Sequence, residues 1–389
     1  MSNSLIIPAL KISQPIGDLY VAKIKATDLL SIAYSDIRAI ADETYRNTYL
    51  GIQRKLDSRR EKEISKYVRT FDATFPTSIV VYIDEDDVEL IEETKETLQI
   101  KIKNPSGRIA KIIDGQHRLA GIQSALENLK NCQDLLSDNN KELHKLENFE
   151  LSLTILVGMD IAEQANIFAK VNLTQTKVNK SLVYDLEEYS KIRSPYKSAH
   201  NIAIALNYNA SSPFYKKIKR LGCIDFGTET LTQQTFVETL VKLFISPEPE
   251  KDRDDIAKRV TISTNELSKF PFRKLFMDDN DVTIAQILYN YFKAVEQKWE
   301  KAWQDSSYLL SKNNGFRALM KYLKYIYPLT NTDIPTTEIF YNYFKDFELT
   351  SEEITPKTFI LGERGMNDFY KYLKKEISYS ELIKNKQCP

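Results

Sequence analysis

Glycine is scarce in this chain of 389 residues: only 11 occur, well under the usual share of about 7%. That scarcity argues for helix over loop-rich architecture. Cysteine is rarer still. Cys132, Cys223 and Cys388 make an odd number with no CxxC spacing, so a disulfide framework, a zinc site and an iron–sulfur cluster are all unsupported. The three histidines, His117, His144 and His200, form no HxH or HxxxH pair, and no metal site is expected. No run reaches the roughly 18 apolar residues of a membrane span. The opening MSNSLIIPALKISQ lacks the basic segment and long apolar core of a signal peptide, so a soluble, cytoplasmic protein is expected. Net charge is missing as well, with 54 Lys plus Arg against 54 Asp plus Glu. There is no global polycation, and any DNA contact must come from a local patch. A P-loop, an HNH set and a PD-(D/E)xK-like set are also absent, which weakens the nuclease and conventional ATPase readings.

What is present describes a folded protein. Hydrophobic residues make up 42% and aromatics 11%, including 22 Tyr, a composition of globular chains and not of disordered ones. The length allows two or three domains, since domains commonly run roughly 100–200 residues. Residues 4–24 alternate around Pro8, Pro15 and Gly17, predicting two short strands. A short helix is expected over Asp28 to Ile40. A second is expected from about Arg59 to Arg69, where Ser58 and Glu61 have capping-box spacing and Ile64, Val68 and Phe71 make an inward stripe. Phe75-Pro76 opens a β-branched strand over residues 77–83, followed by an acidic surface arm from Asp84 to Glu96 that would repel DNA. Leu98–Lys103 and Arg108–Ile113 flank a four-residue turn and are expected to pair as a hairpin.

That hairpin would feed the stretch around which the chain is organised, KIIDGQHRLAGIQSAL, residues 111–126. Two apolar residues run into Asp114-Gly115, and Leu119, Ile122, Leu126 and Leu129 then recur at steps of three and four. This reads as strand, tight turn, helix. Such a helix start exposes backbone N–H groups that favour an anion, and Arg118 adds a planar positive fork beside them. Phosphate is the natural guest. The plain alternative is a turn capped by Asp114 beside a solvated His-Arg pair.

Beyond it, Asn131 to Asn148 reads as a polar surface connection, residues 149–158 as a strand, and Ile161, Ala165 and Phe168 as one face of a helix. Asn172, Thr174, Gln175, Thr176, Lys177 and Asn179 cluster after that helix. Capping explains most such clusters, and a second phosphate or ribose contact is the sharper reading. Past Tyr189 the stripes turn helical: Val237, Leu240 and Phe244; Ile284, Ile287, Tyr291, Val295 and Trp299; Phe316, Leu319, Leu323 and Ile326. Two domains are expected, at 1–189 and 190–389, with an internal linker at 246–258. Two basic runs are candidates for DNA backbone contact: Arg59 and Arg60 within the 54–62 cluster, and Lys216, Lys217, Lys219 and Arg220 after Phe214-Tyr215. A solvated charged face is the plain alternative for both.

Gly51-Ile52-Gln53-Arg54, the Arg-rich helix, Phe75-Pro76, the complete Asp114-Gly115-Gln116-His117-Arg118 with Leu119-Ala120-Gly121, and Ile167-Phe168 through Val171-Asn172 and Thr174 occur in order. Together they resemble the DGQHR-domain family, the group that includes DndB of bacterial DNA phosphorothioation clusters, over roughly residues 5–190. That family is similar in turn to the ParB/sulfiredoxin-like superfamily. The fold implied is α+β: a ParB/sulfiredoxin-like mixed α/β N-terminal domain followed by a mostly α-helical C-terminal region. The resemblance implies a DNA-associated protein of a bacterial DNA-modification or phage-defence system that binds NTP (ATP) with Mg²⁺, and it leaves open whether the chain is an NTPase. In that reading Asp114, Gln116, His117 and Arg118 do the chemistry. Gln53, Arg54, Gly115, Asn172 and Thr174 hold nucleotide phosphate. Expected partners are DNA, other proteins of the system and a second copy of the chain, with no membrane. The alternative is a non-catalytic DNA-binding regulator of transcription of a phosphorothioation gene cluster.

Overall fold

Alternation draws the first two strands together. β1 (Ile6–Gln14) turns Ile7 and Ala9 inward, and β2 (Gly17–Lys25) buries Tyr20 and Ile24. They pair antiparallel from Ala9↔Ala22 to Gln14↔Gly17, and Gly17 supplies the φ of 131° at the turn. The computed structural model describes residues 5–36, 39–40, 49–50, 56–105, 107–131, 137–173, 180–221, 227–262, 264, 267–355, 358–359 and 362–384, with backbone alone for 39–40, 49–50, 137–139, 172–173 and 383–384. The chain divides into two units, Met1–Thr176 and Lys177–Pro389.

In the first unit, β2 runs into α1 (Ala26–Ile32), which is shorter than the expected 28–40 helix because the chain leaves it for β3 (Ala33–Tyr34). A small pair follows, β4 (Ala39–Ile40) with β5 (Tyr49–Leu50), then α2 (Ser58–Tyr67) and β6 (Ile79–Ile83). The acidic arm is β7 (Val88–Glu92), which turns back into β8 (Thr97–Ile102). β9 (Ala110–Asp114), α3 (Gln116–Asn131), α4 (Ser137–Glu147), β10 (Glu150–Val157) and α5 (Ile161–Leu173) complete the unit. Eight strands form one mixed sheet in the order β3-β9-β6-β10-β2-β1-β8-β7. Against one face of it, Leu29 and Ile32 of α1 and Leu119, Ile122 and Leu126 of α3 join Val81, Ile100, Ile112 and Leu153 in a single core.

Four expectations are corrected here. β8 and β9 do not pair with each other: β8 lies between β1 and β7, and β9 between β3 and β6. The first four of β9's five residues are buried, Ile112 and Ile113 on opposite faces, so it needs the covered middle of the sheet, whereas the acidic β7 suits an edge. Helix α2 is capped by Asp57, which accepts from Arg59 and Arg60 N–H, and not by Ser58. Phe71 is 94% exposed because the helix has ended by Tyr67 and the inward stripe stops at Val68. The polar stretch 131–148 holds α4, with Leu146 buried and Glu142 paired to Arg69 at 2.7 Å.

The second unit is helical, as the stripes foretold. It runs α6 (Lys180–Asp185), α7 (Pro195–Tyr208), a short parallel pair β11 (Ile218–Lys219) with β12 (Leu231–Thr232), and α8 (Gln233–Leu240), which continues into a π turn at Val241–Ile245. Then come α9 (Pro249–Ala257), α10 (Arg273–Met277), α11 (Asp281–Lys298), α12 (Glu300–Gln304), α13 (Asn313–Ile326), α14 (Thr337–Asn342), α15 (Glu363–Leu373) and α16 (Tyr379–Lys384). Every residue of the three stripes is buried, and Trp299 and Trp303 donate their indole N–H groups to Leu349 O and Pro213 O at 2.7 and 2.8 Å. Residues 246–258, expected as a linker, carry α9 instead. Asp252 accepts from both Arg273 Nη atoms, at 2.8 and 3.0 Å, and from the Ser246 hydroxyl. A guanidinium only 1% exposed needs such a carboxylate, and that need fixes α9 in place.

Candidate functional site

The motif sits where the sequence puts it, between β9 and α3. Gly115 adopts φ 101°, and a Cβ there would also lie 2.9 Å from Ile79 Cγ1, so both backbone and space require glycine. The four residues around it are largely turned inward. Arg118 Nη1 donates to Thr77 O and Thr77 Oγ1 at 2.5 and 2.8 Å, and Nη2 donates to Ser78 O and Asp114 Oδ2 at 3.0 and 2.9 Å. The fork therefore bridges the end of β9 and the entry to β6. Burial pulls the guanidinium below the usual arginine range, and the Asp114 carboxylate beside it opposes that pull.

His117 is 7% exposed, and its Nε2 accepts the backbone N–H of Asp57 at 3.1 Å. An accepting Nε2 assigns the neutral ring with its proton on Nδ1. Asp57 in turn caps α2, and the Arg59 and Arg60 amides hold its carboxyl below the usual aspartate range. Gln116 is buried beside them. One helical turn further on, a Cβ on Gly121 would stand 2.4 Å from Ile64 Cγ2, so this glycine is what lets α3 approach α2. The Asp114-to-Gly121 stretch thus ties together β9, the β6 entry, α3 and the start of α2.

Other expected site residues are placed as follows. Arg59 and Arg60 are exposed at the start of α2, near the motif, with Arg59 paired to Glu63 at 3.0 Å. Gln53, Arg54 and Thr174 lie outside the described residues. Asn172 is the penultimate residue of α5, and its side chain is outside them too. The Lys216–Arg220 run belongs to the second unit, and half of it is unavailable to DNA. Arg220 is 2% exposed, bound to Asp185 at 2.6 Å and Glu188 at 3.3 Å, and Lys217 is 5% exposed. Phe214 anchors in the core, which draws the following cations in with it and leaves Lys216 and Lys219 toward solvent. Thr77, Ser78 and Asp57 escaped the sequence reading. Only Asp57 left a signal, as a capping residue type directly before a helix start.

A cleft of about 480 Å³ opens elsewhere in the first unit, lined by Asp18, Tyr20, Glu85, Leu90, Met159 and Glu163 among others. Its three carboxylates are wrong for a phosphate, and no motif residue lines it. Among the described residues no three metal-ligating side chains gather, and no helix is long and apolar enough to cross a membrane. No curated protein and no solved structure matches the chain. A family model does, over residues 7–201, and its description is DNA-sulfur modification-associated. That span takes in the whole Asp114–Arg118 clamp and the helix it holds, and the chain belongs to the DndB family.

Proposed function

We propose that the chain acts in DNA-sulfur modification as a DNA-binding regulator without turnover, and that the Asp114–Arg118 motif is a scaffold presenting the start of α2 to DNA phosphate. The observation that carries this is the closed Arg118 fork, whose two Nη atoms are committed to Thr77, Ser78 and Asp114. A phosphate-binding arginine would keep its fork open. Arg59 and Arg60 stand exposed at the positive end of α2 instead, where arginine and helix dipole act on an anion together. The Arg59–Glu63 pair is a solvent-exposed one of little worth, so a phosphate can displace it.

The test is duplex binding by fluorescence anisotropy across a salt series, using DNA from upstream of the protein's own gene cluster. Replacing two phosphate contacts through Arg59→Ala/Arg60→Ala should flatten the log–log salt slope by about 1.8. An unchanged slope would remove α2 from the interface. Phosphate release from ATP that Asp114→Asn abolishes without lowering the melting temperature would replace this reading with an NTPase.

One feature favours a nucleotide as a second ligand: Gly115, with φ 101°, opens the sixteen-residue α3 as a phosphate-cradling turn does. Such binding would need Arg118 to exchange a protein partner for phosphate. The residues present do not fit directly bound Mg²⁺, because the single motif carboxylate, Asp114, is already paired with Arg118.

A further inference from the structure

Helices α13 and α15 each bury one face, Phe316, Leu319 and Leu323 on the first, Met366, Phe369 and Leu373 on the second. Their opposite faces repeat cations and tyrosines at steps of three and four: Lys321, Lys324 and Tyr325 on α13, Tyr370, Lys371 and Lys374 across the end of α15. The helices pack side by side, and three contacts merge these faces into one surface. Lys321 Nζ donates to Asn367 Oδ1 at 3.1 Å, and Lys374 Nζ lies 4.9 Å from the Tyr325 ring centroid and 5.6 Å from that of Tyr370. Lys321 Nζ also lies 5.9 Å from the Tyr370 ring centroid.

We propose that this α13–α15 face binds single-stranded nucleic acid, with its lysines on phosphates and Tyr325 and Tyr370 stacking bases. A merely solvated helix face mixes both signs of charge. Helix α13 has no acidic residue at all, and the acids on or next to α15 are Glu363 in its first turn, Asp368, and the Glu376 that accepts from Lys374. In a chain whose formal charge is zero this excess is local and not a by-product of basic composition. Tyr325 is 46% exposed, a large ring left in water with a cation over it. A nucleotide replaces that contact in kind: the phosphate takes the ammonium and the base takes the ring. Only an unpaired base offers its face, which selects single strands over duplex. The residues lie beyond the family match at 7–201 and none belongs to the α2 surface, so either proposal can fail alone.

The experiment titrates the full chain into a labelled single strand and into its duplex, across a salt series. Lys321→Ala/Lys371→Ala/Lys374→Ala should flatten the single-strand salt slope by about 2, at roughly 0.7 per phosphate contact. Tyr325→Ala should weaken single-strand binding about tenfold, and Tyr325→Phe should restore it. If the triple variant does not melt like the wild type, Lys371→Glu, a single change at an exposed position, should weaken binding alone. An unchanged slope in the lysine variants, equal affinity for duplex, or single-strand binding lost in Arg59→Ala/Arg60→Ala instead would each overturn the proposal.

Discussion

Loss of a clamp and loss of a ligand contact leave different marks on Arg118. As a clamp, Arg118→Ala strands the Asp114 carboxylate and the Thr77 and Ser78 carbonyls, and we expect a loss of about 2–4 kcal/mol in urea unfolding. Full stability with lost DNA binding would make Arg118 a contact residue instead. Gly121 gives a second residue-scale test. Alanine gains about 1 kcal/mol of helix propensity, yet its Cβ would overlap Ile64, so Gly121→Ala should cost about 1–3 kcal/mol net. In Ile64→Ala/Gly121→Ala part of the overlap is gone, so the double variant should lose less than the two single losses added. The motif was legible as a turn, but the protein partners of its arginine were not. Arg118 finds its partners about forty positions earlier, and nothing in local spacing points to Thr77 or Ser78.

Among the elements, those declared by a long apolar period were readable: the strand–turn–helix of β9 and α3, and the stripes of α8, α11 and α13. Pairing was not. The turn at 104–107 suggested a local hairpin, while burial on both faces of β9 decided its place in the sheet. The α13–α15 surface was invisible for a similar reason, being assembled from stretches far apart in the chain. Helix α2 offers a pH test. The Arg59 and Arg60 amides hold the Asp57 carboxyl below its ordinary value of 3.8, so the ionised cap favours the helix above that value. Its contribution is lost as pH falls through the lower folded value. Amide exchange in α2 should therefore accelerate in acid in the wild type, and Asp57→Asn, which caps without a charge, should not show that acceleration. Identical acid profiles for the two proteins would remove the carboxylate from the cap.

At the scale of the molecule, most of the described buried apolar residues fall in two clusters, one within residues 7–155 and one within 199–382. A core that shares no residue with another has its own enthalpy of melting, so cooperativity should stop at each unit. We expect calorimetry to record two transitions. Leu153→Ala, at a position 1% exposed in the first core, should cost about 2–5 kcal/mol and lower one transition by roughly 4–20 °C while leaving the other in place. Phe292→Leu, in the second core, should move the other one. A single transition that both substitutions shift together would mean that the two cores unfold as one. In that case the α13–α15 face and the motif could not be perturbed separately, and the binding variants of the two units would have to be compared at matched stability.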